Sequence, residues 1–245
     1  MEWTDDAIVL GVRKHGETSV IAELMTRYRG RHLGLVQGGR GRAMRPLLQP
    51  GNAVRATWRA RLDEHLGQYK LEITKSRAAV IMEQAHCVYA LQTLAAHLRL
   101  LPERDAHEAL YNALDFTLDH LDQSALAGEL VIRFELALLE ELGFGLDLSA
   151  CAATGTKANL HYVSPRTGRA VSRSAGEPWG DRLLVLPSFL TSNEMPRVEA
   201  ADKPALEAGF ELTTHFFERH VSGPRGVPLP SERASFIRLV TQSES

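Results

Sequence analysis

Six arginines crowd into the stretch between Thr26 and Pro46: Arg27, Arg29, Arg31, Arg40, Arg42 and Arg45. The same stretch holds His32 and glycines at 30, 34, 38, 39 and 41, and it contains no carboxylate. A guanidinium is a planar fork of donors that matches a phosphate with paired, charge-assisted hydrogen bonds. Alternation along an extended chain predicts that Arg27, Arg29 and Arg31 project from one strand face. Arg40, Arg42 and Arg45 sit on a glycine-rich loop whose backbone can approach a ligand closely. With Lys14 and Arg59 they form the expected phosphate-binding set, which Arg55, Arg61 and Lys70 could extend. Among the aromatics that could stack a base, Trp58 and Tyr69 fall on expected core faces, which leaves Tyr28. A second basic cluster, Lys157, Arg166, Arg169 and Arg173, lies in the other half of the chain, where it could extend the nucleic-acid path, receive an acidic peptide or be a solvated hairpin.

Catalytic signatures are tested and fail. Met44 stands where a dinucleotide-binding loop begun at Gly39 needs its third glycine, and no phosphate-loop Lys-Ser/Thr follows. His107-Glu108 begins a zinc-protease helix, but Tyr111 replaces the second histidine. No Gly-x-Ser-x-Gly elbow occurs. Cys151 has Thr154 where a Cys-x-x-Cys knuckle would place its partner, and one thiol with a nearby His161 falls short of four zinc ligands. No catalytic residue, metal or other cofactor is therefore expected.

These residues must be positioned by two kinds of secondary structure. The runs 7–13, 19–26, 32–37, 53–62 and 68–74 alternate or are β-branched, with turn residues between them. In the fourth, Val54, Ala56, Trp58, Ala60 and Leu62 share one face, and Arg55, Thr57, Arg59 and Arg61 the other. Five short strands without an intervening helix predict a small antiparallel barrel or sandwich of the oligonucleotide/oligosaccharide-binding (OB) size. After position 78 the apolar period changes to that of helices over 86–101, 105–121 and 127–144. Asp105, Asp122 and Ser124 lie near expected helix caps. Two more helices are expected over about 187–193 and 203–220, a hairpin turned at 164–168, and a proline-rich loop over 222–233.

The chain has 245 residues and a net charge of −2, enough length for one large domain or two ordinary ones. That total hides an asymmetry: residues 1–80 carry 14 Lys and Arg against 8 Asp and Glu, and residues 81–245 carry 14 against 22. The basic half is the candidate for a polyanion. No apolar run is long enough to span a membrane, the start lacks the marks of a secretory signal, and two distant cysteines fit a reducing cytosol.

Three stretches together resemble the RecO family of bacterial DNA repair and recombination mediators over essentially the whole chain. They are "DDAIVLGVRKHGETSVIAELMTRYRGRHLGLVQGGR", "LLQPGNAV" and "YVSPRTGRAVSRSAGEPWGDRLLVLPSFL", the last similar to the insert of alphaproteobacterial members. The resemblance implies an α+β chain: an OB-fold barrel over 1–78, then a helical domain over 79–245 with a small β-hairpin insert at 147–179. It implies non-catalytic binding of single- and double-stranded DNA, annealing of complementary strands, and help in loading a recombinase onto strands coated by single-strand-binding protein. Implied partners are RecR, in some members RecF, and the acidic C-terminal tail of single-strand-binding protein, in a cytoplasmic, nucleoid-associated setting. Many relatives carry four zinc cysteines in the insert; here only Cys151 matches, so zinc is not carried over. A protein–protein adaptor with secondary DNA contacts is the alternative, and a nuclease a third reading that no ligand-spaced cluster supports.

Overall fold

The computed structural model describes residues 1–191 and 201–242, with the side chain of Ala125 left aside. The chain divides into two compact units, Met1–Asp122 and Gln123–Ser245.

The first unit begins with β1 (Glu2–His15), β2 (Ser19–Thr26), β3 (Gly30–Val36), β4 (Ala53–Arg59) and β5 (Gln68–Lys75). They close into a barrel in the order β1-β2-β3-β5-β4, antiparallel throughout except for the parallel β3–β5 seam at Leu35 and Gln68. Alternation explains the closure, since each strand sends every second side chain inward. Ala7, Val9, Ala22, Leu24, Val54, Ala56 and Trp58 meet there, all fully buried. β4 stops at Arg59, short of the expected end, so Leu62 leaves the apolar face and is exposed. At one end of the barrel Trp3, His32, Trp58 and Tyr69 pack as an aromatic cluster with ring centroids 5.1–6.1 Å apart.

Three helices complete this unit: α1 (Ala78–Glu83), α2 (Ala85–Leu98) and α3 (Glu108–Asp119). The predicted stripes are the buried ones, Cys87, Leu91, Leu94 and Leu98 on α2 and Leu110, Leu114 and Leu118 on α3. The short α1 carries too few residues to show a period and was not expected. Nor do the expected caps form: the residues preceding α3 and the next helix are His107 and Gln123, neither with a side-chain cap bond. Arg77, buried at the β5–α1 junction, donates to Asp119 at 2.7 Å and Asp115 at 2.6 Å and so ties α3 to the barrel.

The second unit holds α4 (Ser124–Glu141), β6 (Leu160–Val163), β7 (Ala170–Ser172), α5 (Arg173–Gly176), β8 (Leu184–Val185), α6 (Lys203–Phe217), α7 (Gly223–Arg225) and α8 (Ser231–Gln242). The hairpin at 164–168 forms as expected, and β8 adds a third strand in the order β7-β6-β8. A 3-10 segment, Glu177–Arg182, connects α5 to β8. The helix expected near 187–193 is a single 3-10 turn, Ser188–Leu190, within the described residues; positions 192 and 193 lie outside them. α6 continues as a π turn over Glu218–Ser222. α8 begins inside the stretch expected to be a proline-rich loop. It is fixed by Arg233, which donates to Glu135 at 2.6 and 2.9 Å and to Thr213 and Thr214.

Candidate nucleic-acid interface

The glycine-rich connection from β3 to β4 is ordered rather than open. Gly41 N donates to Gly38 O, Met44 N to Gly41 O and Leu48 N to Met44 O, at 2.8–3.1 Å, so the loop turns on itself. Leu48 is buried in the barrel core, with Met44 and Leu47 packed against it. Asn52 holds the far end: its amide donates to Pro46 O, and its Oδ1 accepts from the backbone N of Arg77 and Ala78. The near end is tied to the β1–β2 turn. Arg40 N donates to Thr18 O at 2.9 Å, and Arg40 Nη1 to Glu17 O at 2.5 Å and Gly16 O at 3.3 Å. Gly39 permits this approach, because a Cβ there would stand 2.6 Å from Val20 Cγ2.

Four of the expected residues converge on this lobe. Lys14 pairs with Val20 across the β1–β2 ladder, so it shares the face on which Gly39 packs. Lys14 and Arg42 are exposed and make no side-chain hydrogen bond or ion pair among the described residues. Arg45 is exposed with only its Nε engaged, on Arg40 O at 3.1 Å. Arg40 places its Nη1 on the Gly16 and Glu17 carbonyls, which makes it a strut as well as a cation. A lobe of this kind presents the free donors of Lys14, Arg42 and Arg45 on a fixed backbone.

The other expected residues lie elsewhere and are largely paired. Arg27 and Arg29 fall in the β2–β3 turn, not on a strand, so the three-arginine face is not formed; only Arg31 belongs to β3. Arg27 donates to Asn112 at 2.8 Å and stands 3.4 Å from Glu108. Arg29 lies 5.2 Å over the Trp3 ring. Arg31, its side chain only 12% exposed, bonds Glu23 at 3.0 Å, Glu103 at 3.5 Å and Leu101 O at 3.3 Å. Arg59 pairs with Glu2, Arg55 with Asp6 and Lys70 with Glu72, while Arg61 stands beyond the strand end. Tyr28 is exposed as expected, 60%, with the Arg27 guanidinium 5.8 Å from its ring. Its backbone N–H donates to Asp5, a buried carboxylate that desolvation pushes above the usual range.

In the second unit Lys157 and Arg166 are exposed, Arg169 pairs with Asp147 at 3.3 Å, and Arg173 donates to His161 at 3.3 Å. Burial and the neighbouring Arg173 hold His161 below the ordinary histidine value. Cys151 is buried; burial alone would raise its thiol, but hydrogen bonds from Ser172 and Thr154 outweigh it and bring the pKa to about 6. Ser172 N–H donates to its Sγ at 3.2 Å. Among the described residues no three His, Cys, Asp or Glu side chains stand together as a metal site, so the residues around Cys151 do not make a four-ligand zinc centre. Sequence reasoning missed the exposed Trp179 with Arg182 beside it, a Trp-Gly pair in a turn segment that gives no periodic signal.

Comparison with known proteins covers most of both units, with family boundaries that differ from theirs. Residues 1–77 match the family model described as Recombination protein O N terminal, and residues 85–227 match Recombination protein O C terminal. A protein named DNA repair protein RecO from Mesorhizobium japonicum is 60% identical over 237 residues, covering 97% of this chain and 92% of its own. One of the same name from Rhizobium etli is 59% identical over 243 residues, 99% of this chain and 94% of its own. Another from Rhodopseudomonas palustris is 57% identical, covering 99% and 97%. The chain belongs to the RecO family, and its barrel is the OB-fold of that family's N-terminal domain.

Proposed function

From membership of that family and the free cations of the basic lobe, we propose that this chain acts in DNA repair and recombination as a non-catalytic, cytoplasmic and nucleoid-associated DNA-binding mediator. It binds single- and double-stranded DNA, anneals complementary strands, and assists recombinase loading on strands coated by single-strand-binding protein. RecR, the acidic C-terminal tail of single-strand-binding protein and, as in some members, RecF are the partners this reading carries over from the family.

The observation that carries the reading is the lobe itself: Arg42 and Arg45 stand exposed on a loop that Arg40 zips to the β1–β2 turn, and Lys14 stands exposed near the end of β1 beside it. Cations on a fixed backbone neutralise phosphates and release counterions, which lets two strands approach without mutual repulsion. Base pairing then supplies sequence specificity. Fluorescence anisotropy of labelled single-stranded DNA across a salt series tests this. Three phosphate contacts give a log–log slope of about −2, from roughly −0.7 per contact. Absence of binding at low salt would reject the reading.

One observation favours the adaptor reading: Arg27, Arg31, Arg55 and Arg59 are paired with carboxylates of the same unit, which shrinks the free cationic surface. Partner capture that survives high salt, with no DNA affinity, would select it.

A further inference from the structure

The insert of the second unit exposes an aromatic ring that the barrel site does not use. Trp179 lies in the 3-10 segment Glu177–Arg182 and is 57% exposed, with the Arg182 guanidinium 5.8 Å from its ring centroid. Two glycines set the segment down on Tyr162. A Cβ at Gly176 would stand 2.4 Å from Tyr162 Cδ2, and one at Gly180 would stand 3.8 Å from the phenol oxygen. Backbone therefore lies against the Tyr162 ring on both sides of position 179, and the indole stays on the solvent side.

Cations continue from there. Tyr162 meets His161 edge-on at 4.6 Å, and Arg173 donates to His161 at 3.3 Å. Val185, exposed and paired with Tyr162 across the β6–β8 ladder, adds an apolar neighbour on the same sheet face. Over 147–182 five cations face three carboxylates, while the rest of the second unit is acidic. Two of those carboxylates, Glu177 and Asp181, flank the indole in sequence. They weaken attraction for any polyanion held by charge alone, a duplex or an acidic peptide, and leave stacking as the main attraction. Single strands offer free base faces, and base–aromatic stacking tolerates any sequence. An arginine beside the ring adds cation–π support. Tyr28 with Arg27 repeats the same pairing in the first unit.

We propose that the insert carries a second single-strand site, in which a base stacks on Trp179 while Arg173 and Arg182 hold the flanking phosphates. It rests on the reading of this chain as a DNA-binding protein and deepens it, since annealing needs two strands held at once.

Intrinsic fluorescence reads the site directly, because Trp58 is buried and Trp3 is packed in the barrel cluster. The full chain is titrated with a short oligothymidylate, followed by emission and, separately, by anisotropy of the labelled oligomer. Wild-type emission is quenched, Trp179→Phe loses the quench, and Trp179→Ala binds the strand about tenfold more weakly. Trp179→Phe recovers most of the affinity, and the salt slope is unchanged in both variants. The double variant Arg42→Ala/Arg45→Ala keeps the quench. A strand that binds by anisotropy with no change in emission overturns the second site and leaves the barrel reading standing. Equal quenching by a duplex, or by an acidic peptide and not the strand, overturns it too. No binding of any DNA overturns both.

Discussion

Consider two substitutions in the same arginine-rich stretch, Arg31→Ala and Arg42→Ala. Arg31 contributes charge-assisted bonds to Glu23 and Glu103 and one to Leu101 O, from a side chain almost out of solvent. Glu23 keeps its paired contact with Arg99 at 2.8 and 3.0 Å, so it is not stranded. What is lost is one well-placed charged hydrogen bond, a weaker one and the packing of the stem, about 2 kcal/mol. In a unit of this size that lowers Tm by roughly 5–10 °C. Arg42 makes no such contacts, and its removal leaves Tm within about 2 °C. Binding responds the other way. Arg42→Ala removes one phosphate contact and makes the salt slope on single strands shallower by about 0.7. Arg31→Ala leaves the slope unchanged at temperatures where the variant is folded. Thermal unfolding and an anisotropy salt series on both variants decide the matter. Equal slope changes with equal Tm values would refute the division of these arginines into structural and binding groups.

Three further outcomes follow from single contacts. His32 is 3% exposed beside the Tyr69 hydroxyl at 2.8 Å, and burial followed by the nearby Arg104 charge lowers its pKa from 6.5 to about 4. A depressed folded value means stability is fully present above pH 6.5 and lost as pH falls toward 4, by up to about 3 kcal/mol. Urea midpoints between pH 7 and 4 should fall more steeply in wild type than in His32→Gln. Arg233→Met strips the buried Glu135 of its guanidinium and should cost about 3–5 kcal/mol, whereas Arg233→Met/Glu135→Leu should recover much of that in denaturant melts. Gly30→Ala should lower Tm sharply: φ is +63°, and a Cβ would stand 1.6 Å from Asp105 O, so both backbone strain and a clash oppose it.

The barrel was legible because alternation is a local signal: Val54, Ala56 and Trp58 name the core face without outside help. The helices α2, α3 and α4 were legible for the same reason at a different period. The placing of the arginines was not. Thr26 Oγ1 accepts from Arg29 N and donates to Gly30 O, making a tight turn where alternation suggested strand. The carboxylates that claim Arg27 and Arg31 come from β2, from residue 103 and from α3, up to 81 positions away. No window of sequence shows that a cation is already spent. α8 was hidden because two of its four buried residues, Arg233 and Thr241, are polar, which leaves its apolar stripe narrow. Trp179 was hidden because an exposed ring has no periodic partner.

The spent arginines bear on how the proposed annealing works. If all eight expected cations met phosphate, the slope on single strands would be about −5.6, and binding would strengthen roughly two-thousandfold from 200 to 50 mM salt. Strands held that firmly at low salt would be poorly exchangeable. If Lys14, Arg42 and Arg45 alone meet phosphate, the same interval changes affinity only about 16–20-fold. Contacts this shallow neutralise a strand enough for a complement to approach and then release the duplex. Arg40 makes that economy possible: by fixing the loop on the Gly16 and Glu17 carbonyls it removes the ordering cost that a mobile loop would subtract from a small number of contacts. Pre-organisation, rather than charge density, is then what lets so few cations suffice.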